Sequence, residues 1–463
     1  MKIFNVLAAC CLLATSSASW AGYKLPTYEK VTLDNGLTLY LMEQNEVPLI
    51  DVNVVVKVGA IDDGTAAGLN YFTARNLSLG TKSLDKATFD ETIDFVGADI
   101  SASANYEFSR ISASFAKKDT GEILPILRDV VLNPRFEATE FDKLKTRHLL
   151  NLSQSKESPR AVINNYYNRL LFGNAGYGVA PQGNQDSIEK LTLDQVKAHH
   201  AKWYAANNAA VIVVGDFDAA SMKKRMKKLF GGWKASKTPL KQAALTTAKP
   251  ASKSNLVLVD KGDARESTFL IGGKGITRSN PDSVGISVIN TILGARFTSW
   301  LNDELRVNAG LTYGARSRFN SFSKDGTFSV YSYTKTSTTI ETIDLALETY
   351  QRLWNKGIDE KTLASAKAYV KGQFPPKYET SGALANLLSN MYGYGFDEAY
   401  INTFEQQVDS LTVEKTKSLI NKYFPKDNLQ FVVVGNANDI RDQVKKYGDM
   451  SEVNIKDVGF NIK

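Results

Sequence analysis

The sequence predicts an α+β fold built from two homologous domains, each a mostly antiparallel sheet with helices packed on one face. Three observations carry that expectation. Leu191 to Gly215 (LTLDQVKAHHAKWYAANNAAVIVVG) and Leu411 to Gly435 (LTVEKTKSLINKYFPKDNLQFVVVG) align without a gap at an offset of 220, sharing Leu-Thr, two lysines, an aromatic pair, an asparagine and a terminal Val-Val-Gly. Leu39 to Lys57 echoes Leu256 to Lys274 at the nearly equal offset of 217, so a whole segment of about that size is duplicated. Ala235 to Ser254, rich in Lys, Ala, Thr and Pro and without hydrophobic period, reads as the linker between the copies.

In chain order, residues 1–21 come first: Lys2, an almost wholly apolar run from Ile3 to Ala14, then small residues ending Ser19-Trp20-Ala21. This is the pattern of a secretory signal cleaved before Gly22, and it predicts an exported, periplasmic protein. Leu7-Ala8-Ala9-Cys10 also resembles a lipoprotein cleavage box, which leaves anchoring at Cys10 as the alternative. Both cysteines, Cys10 and Cys11, lie in that segment, so the mature chain has no disulfide, cysteine–zinc site or cysteine nucleophile. The formal charge of +7 falls by one when Lys2 is removed, and the local cluster Lys223-Lys224-Arg225-Lys227-Lys228 reads as a solvated helix face, not a nucleic-acid footprint. No later stretch has transmembrane length.

The first domain, residues 22–234, opens with Val31 to Ala60, where Asp34-Asn35-Gly36 marks a tight turn and Val52, Val54 and Val56 alternate as on a half-buried strand. Strand pattern continues over Leu37 to Val58 and Ile100 to Phe115, interleaved with helical segments Asp85 to Val96, Gly121 to Leu132 and Ser187 to Tyr204. Of the three histidines, His148 sits one helical turn before Asn151, whereas His199 and His200 are adjacent and point to different helix faces, so they do not assemble a metal site. In the second domain, residues 255–463, Leu301, Leu305 and Val307 predict a short amphipathic helix ending near Asn308-Ala309-Gly310. Leu311, Tyr313 and Ala315 then alternate as on a strand, which places Tyr313 on that strand and Arg306 on the preceding helix end, within reach of each other.

These segments resemble the pitrilysin/insulinase-type metallopeptidases over nearly the whole mature chain. The run NTILGARFTSWLNDELRVNAGLTYGARSRF is similar to the helix-turn-strand of the family's second domain, where an arginine–tyrosine pair binds substrate and stabilises the transition state. The resemblance assigns that role to Arg306 and Tyr313. Gly68 to Thr81 (GLNYFTARNLSLGT) resembles the family's zinc helix, in which H-x-x-E-H supplies two ligands and a general base, and a glutamate on a later helix supplies the third ligand. At those positions this chain has Tyr71, Ala74, Arg75 and Asn151. Zinc needs three lone-pair donors and its water needs a base; a phenol, a methyl, a permanent cation and an amide provide neither.

The resemblance therefore implies a chain without catalytic residues or a metal of its own: a non-catalytic partner subunit of a zinc-bearing homologue, with peptide as substrate and zinc on the partner. A structural or peptide-binding scaffold of the same fold is the alternative; retention of both Arg306 and Tyr313 favours the first reading.

Overall fold

A computed structural model describes residues 23–462 apart from 246, 248 and 249; the expected export signal, residues 1–21, and Cys10 lie outside the described residues. The chain folds into two six-stranded sheets with helices, one sheet per sequence repeat, in the predicted α+β class. The first contains β1 (Glu29–Thr32), β2 (Thr38–Glu43), β3 (Leu49–Val56), β4 (Asp99–Ala104), β5 (Ser109–Ala116) and β6 (Ala209–Gly215), in the order β1-β2-β6-β3-β5-β4. The second contains β7 (Asn255–Asp260), β8 (Glu266–Lys274), β9 (Arg316–Ser321), β10 (Gly326–Lys335), β11 (Gln430–Gly435) and β12 (Asp449–Asn454), in the order β12-β7-β11-β8-β10-β9.

The repeat is structural. The late strands β6 and β11 occupy equivalent central places, each parallel to one neighbour and antiparallel to the other. Their residues are wholly buried and, apart from Gln430 at the start of β11, read as apolar runs, as strands covered on both faces do. The helices that feed them, Leu193–Trp203 and Val413–Tyr423, start in the same way: the hydroxyls of Thr192 and Thr412 accept the amides of Gln195 and Lys415. The copies differ at one edge, where β1 precedes β2 and runs antiparallel to it, while β12 comes from the chain end and runs parallel to β7.

Several predicted segments are subdivided. Leu37 to Val58 forms β2 and β3, with β6 inserted between them, and Ile100 to Phe115 is the antiparallel pair β4 and β5. Ser187 to Tyr204 is not one helix, because Thr192 caps a new helix after Gln185–Glu189 has ended. Residues 235–245, 247 and 250–254 carry no helix or strand, yet the segment is tied down: the Ala243 amide donates to the Asp62 carboxylate at 2.8 Å and the Ser236 amide to Asn207 Oδ1 at 2.9 Å.

Each half also covers the other's sheet. Helices of its own half pack one face of each sheet, as predicted, and one exchanged helix covers the opposite face. Val162, Ile163, Tyr166 and Tyr167 of the Pro159–Phe172 helix pack on Val257, Leu270 and Val432 of the second sheet. Leu384, Leu388 and Met391 of the Ser381–Tyr394 helix join Tyr40, Met42 and Ile212 of the first sheet. Burial of each aliphatic or methionine side chain among these contributes about 1.5–3 kcal/mol. Polar seams accompany the exchange: the Tyr167 hydroxyl donates to Phe328 O at 2.6 Å, Ser381 Oγ to Asp51 at 2.6 Å, and Asn53 Nδ2 to Ser389 Oγ at 3.0 Å. Gly272 permits the first of these, since a Cβ there would lie 2.1 Å from Phe328 O and 2.7 Å from the Tyr167 hydroxyl.

Candidate functional site

The stretch from Ser299 begins as one helical turn, Trp300–Asn302, and widens into a π-helical segment, Asp303–Asn308. Leu301 and Leu305 are fully buried, whereas Val307, two residues past Leu305 and turned away from the core, is 64% exposed and does not extend the apolar face as expected. Glu304, paired with Arg352 at 2.7 Å, braces the segment from outside. Gly310 (φ 64°) reverses the chain, and the Leu311 amide closes the helix end on Leu305 O at 2.9 Å.

The strand expected from Gly310 starts only at Arg316. Residues 309–315 have the right alternation, but side chains replace the ladder. Thr312 Oγ1 binds the Gly314 amide at 3.2 Å, and Asn302 Oδ1 takes the Ala315 amide at 2.9 Å. From β10, Ser332 Oγ donates to Gly314 O (3.1 Å) and Thr334 Oγ1 to Leu311 O (2.7 Å). These bonds turn a would-be strand into a braced loop with Tyr313 at its tip, 81% exposed.

Arg306 and Tyr313 line one groove, a cavity of about 420 Å³. The Arg306 guanidinium stacks on the exposed Phe297 ring, 4.7 Å from its centroid, and makes no ion pair or hydrogen bond within the described residues. Sequence reasoning missed the rest of the groove: Arg316 and Arg318 of β9, Tyr331 and Tyr333 of β10, and Arg160 and Asn164 from the exchanged helix of the first half. The i, i+2 spacing of Arg316 and Arg318 was a usable signal; the arrival of Arg160 from the other half left none.

The positions matching the zinc motif lie elsewhere, on the Leu69–Leu77 and Ala138–Ser155 helices, and none of them lines the groove. Tyr71 lays its ring 5.0 Å from that of His148, and Phe72 meets the same imidazole edge-on at 5.1 Å. Ala74 is fully buried, while Arg75 and Asn151 are exposed. Nothing in this set offers zinc a first donor group of the usual kind, and among the described residues no three His, Cys, Asp or Glu side chains gather as a metal site.

All three histidines are engaged in the fold. His148 Nε2 lies 2.9 Å from Gln182 O, His199 Nε2 3.2 Å from Asn70 Oδ1, and His200 Nε2 2.9 Å from Val131 O. Burial lowers the pKa of each. For His148 the Arg75 charge adds to it, and for His199, pushed down to about 4, Lys202 and His200 add to it. A base whose folded pKa is depressed is protonated first in the unfolded chain, so stability is retained above pH 6.5 and lost as pH falls toward 4. His199 alone accounts for a loss of about 3 kcal/mol across that window. Buried Asp63, whose carboxyl is pushed up to about 7 by desolvation, acts in the opposite sense over the same window, so the His199 share is read as a difference. In urea unfolding at pH 7, 5.5 and 4.5, His199→Gln should lose less stability on acidification than the unaltered protein, and an equal pH dependence would contradict the assignment.

Comparison with known proteins gives a consistent family. Residues 40–178 match the family model described as insulinase (peptidase family M16), and residues 190–370 match the one described as the peptidase M16 inactive domain, so together they take in well over half of the chain. A relative named non-peptidase homolog YmxG from Helicobacter pylori is 26% identical over 380 residues, covering 82% of this chain and 87% of its own length. The protein named zinc protease PqqE, from the same organism, is 24% identical over 442 residues, 92% of this chain and 97% of that one. The crystal structure of a peptidase M16 inactive domain from Pseudomonas fluorescens superposes with a TM-score of 0.82 at 25% identity, covering 88% of this chain and 98% of that one.

Proposed function

The chain belongs to the insulinase-type peptidase family M16, and on that premise we propose that it is the non-catalytic subunit of a heteromeric peptidase, completing the active site of a zinc-bearing homologue. The observation that carries the proposal is the contrast between two sites. On the Leu69–Leu77 helix the motif positions hold Tyr71, Ala74 and Arg75, and Ala74 is sealed in the interior. On the Arg306–Tyr313 loop the two polar side chains face an open groove, with no hydrogen-bond or ionic partner among the described residues, while the backbone beneath is fixed by Asn302, Ser332 and Thr334. Preorganised donors aimed at solvent have no structural task. They suit a ligand whose charge they stabilise.

In this reading the partner supplies metal and base. Arg306 and Tyr313 donate hydrogen bonds to a peptide carbonyl and hold its developing negative charge, with Phe297 fixing the plane of the guanidinium. The exposed Phe297 against Arg306, together with the exposed Tyr313, adds apolar surface suited to a peptide. The apolar run at residues 3–14 supports export to the periplasm, where such a pair would act on peptides. No helix among the described residues is long and apolar enough to cross a membrane.

Co-expression with a homologue that retains H-x-x-E-H, followed by size exclusion and a peptide-cleavage assay, tests the proposal. The expected result is a stable complex that cleaves unstructured peptides, with neither chain active alone. A stable complex without activity would transfer the chain to the scaffold reading.

A further inference from the structure

We propose that the groove beside Arg306 and Tyr313 is a subsite for acidic side chains, so that the peptides this protein engages carry glutamate or aspartate at alternate positions of an extended segment. The proposal rests on the reading of Arg306 and Tyr313 as a peptide-contacting pair and adds the class of peptide. Its ground is charge. Four arginines, Arg160, Arg306, Arg316 and Arg318, line about 420 Å³ of open groove, and no Asp or Glu lines it.

The arginines have little internal compensation. Only Arg160 has an acidic partner, Glu266 at 3.5 Å, in a pair whose side chains are 50% and 54% exposed. The guanidinium groups of Arg306, Arg316 and Arg318 make no ion pair or hydrogen bond within the described residues. Like charges gathered without counter-charge raise the energy of the empty groove and lower it when an anion enters. Aromatic rings hold three of the four guanidinium groups in place: Arg306 on Phe297, Arg160 at 3.7 Å from the Tyr333 ring centroid and Arg316 at 4.8 Å from that of Tyr331. Stacking fixes each plane while leaving the in-plane N–H donors for a carboxylate, which they can grip in pairs.

Spacing narrows the ligand. Arg316 and Arg318 are both exposed and flank buried Ser317, so they stand on one face of β9, two residues apart. On a strand that separation is about 6.6–6.8 Å, the same as between alternate side chains of an extended peptide. β9 is the outer strand of its sheet, and on this face the exchanged helix supplies only Arg160 and Asn164 to the groove. An extended ligand thus has access from the outer side.

The test is fluorescence anisotropy on the full chain alone, without a partner, with labelled eight-residue peptides carrying Glu, Ser or Lys at two alternate positions. The Glu peptide should bind at least about tenfold tighter than the Ser peptide, as expected of one charge-assisted pair, and the Lys peptide more weakly still. Arg316→Glu/Arg318→Glu should erase or reverse that order, and Arg316→Ala/Arg318→Ala should reduce it. The distant charge reversal Lys224→Glu/Lys228→Glu should leave it unchanged. Equal affinity for Glu and Ser peptides, equal loss in the distant variant, or tighter binding of a single-stranded oligonucleotide than of the Glu peptide would each overturn the assignment. Binding here is independent of cleavage: an inactive heteromeric complex with the Glu preference intact would count against the catalytic partnership alone, and normal turnover without that preference would remove only the acidic subsite.

Discussion

Arg306→Ala is expected to slow peptide cleavage by the reconstituted complex about ten- to a hundredfold, because a charge-assisted hydrogen bond to a carbonyl oxygen contributes roughly 1.5–3 kcal/mol. Tyr313→Phe should cost less, since it removes a neutral donor. Both side chains reach the groove from the surface, so neither change should disturb folding or assembly. Asn302, one helical turn before Arg306, acts through the loop: its Oδ1 holds the Ala315 amide and so sets the segment that presents Tyr313. Asn302→Ala should lower turnover by up to about tenfold, the scale of one lost hydrogen bond, and Asn302→Asp, which keeps an acceptor, should restore most of it. Lys224→Glu, remote on the helix Ala219–Phe230, is the appropriate neutral comparison. Normal turnover in assembled Arg306→Ala and Tyr313→Phe complexes would end the transition-state role.

The Asn302 case illustrates what the sequence carries and what it withholds. The duplication was legible because both copies keep the same capped helix followed by a buried central strand, and those features are local in sequence. The 217-residue echo was legible because β2 and β7, and likewise β3 and β8, pair in the same way with the late strands β6 and β11. The exchanged helices were hidden, since an amphipathic pattern states that a face is buried without stating against which sheet. Leu311, Tyr313 and Ala315 alternate as strand residues do. Alternation cannot show that Ser332 and Thr334 offer hydroxyls to this segment where a strand would find backbone amides. The groove's second wall, from Arg160, came from the other half and was invisible for the same reason.

Ala74→Glu, which restores the residue type of the family's general base, is expected to destabilise the protein by about 3–5 kcal/mol at neutral pH, the cost of an uncompensated buried charge. Ala74 is fully buried on the Leu69–Leu77 helix, so a carboxylate there would need both room and a counter-charge. The neighbouring motif positions offer little relief: Tyr71 is engaged with the His148 ring, and Arg75 points to solvent from the last turn. Urea unfolding of the variant and the unaltered protein, compared at matched pH, measures the deficit. Burial raises the introduced carboxyl's pKa, so its neutral form is favoured in the fold and the deficit should shrink as pH falls below that raised value. Matching the pH removes the histidine contribution, which is common to both proteins. Ala74→Ser, which adds one hydroxyl and no charge, should cost about 1 kcal/mol. An Ala74→Glu variant within about 0.5 kcal/mol of the parent at pH 7 would mean the position still opens to solvent as a base requires, and the claim that this helix has exchanged chemistry for packing would fail.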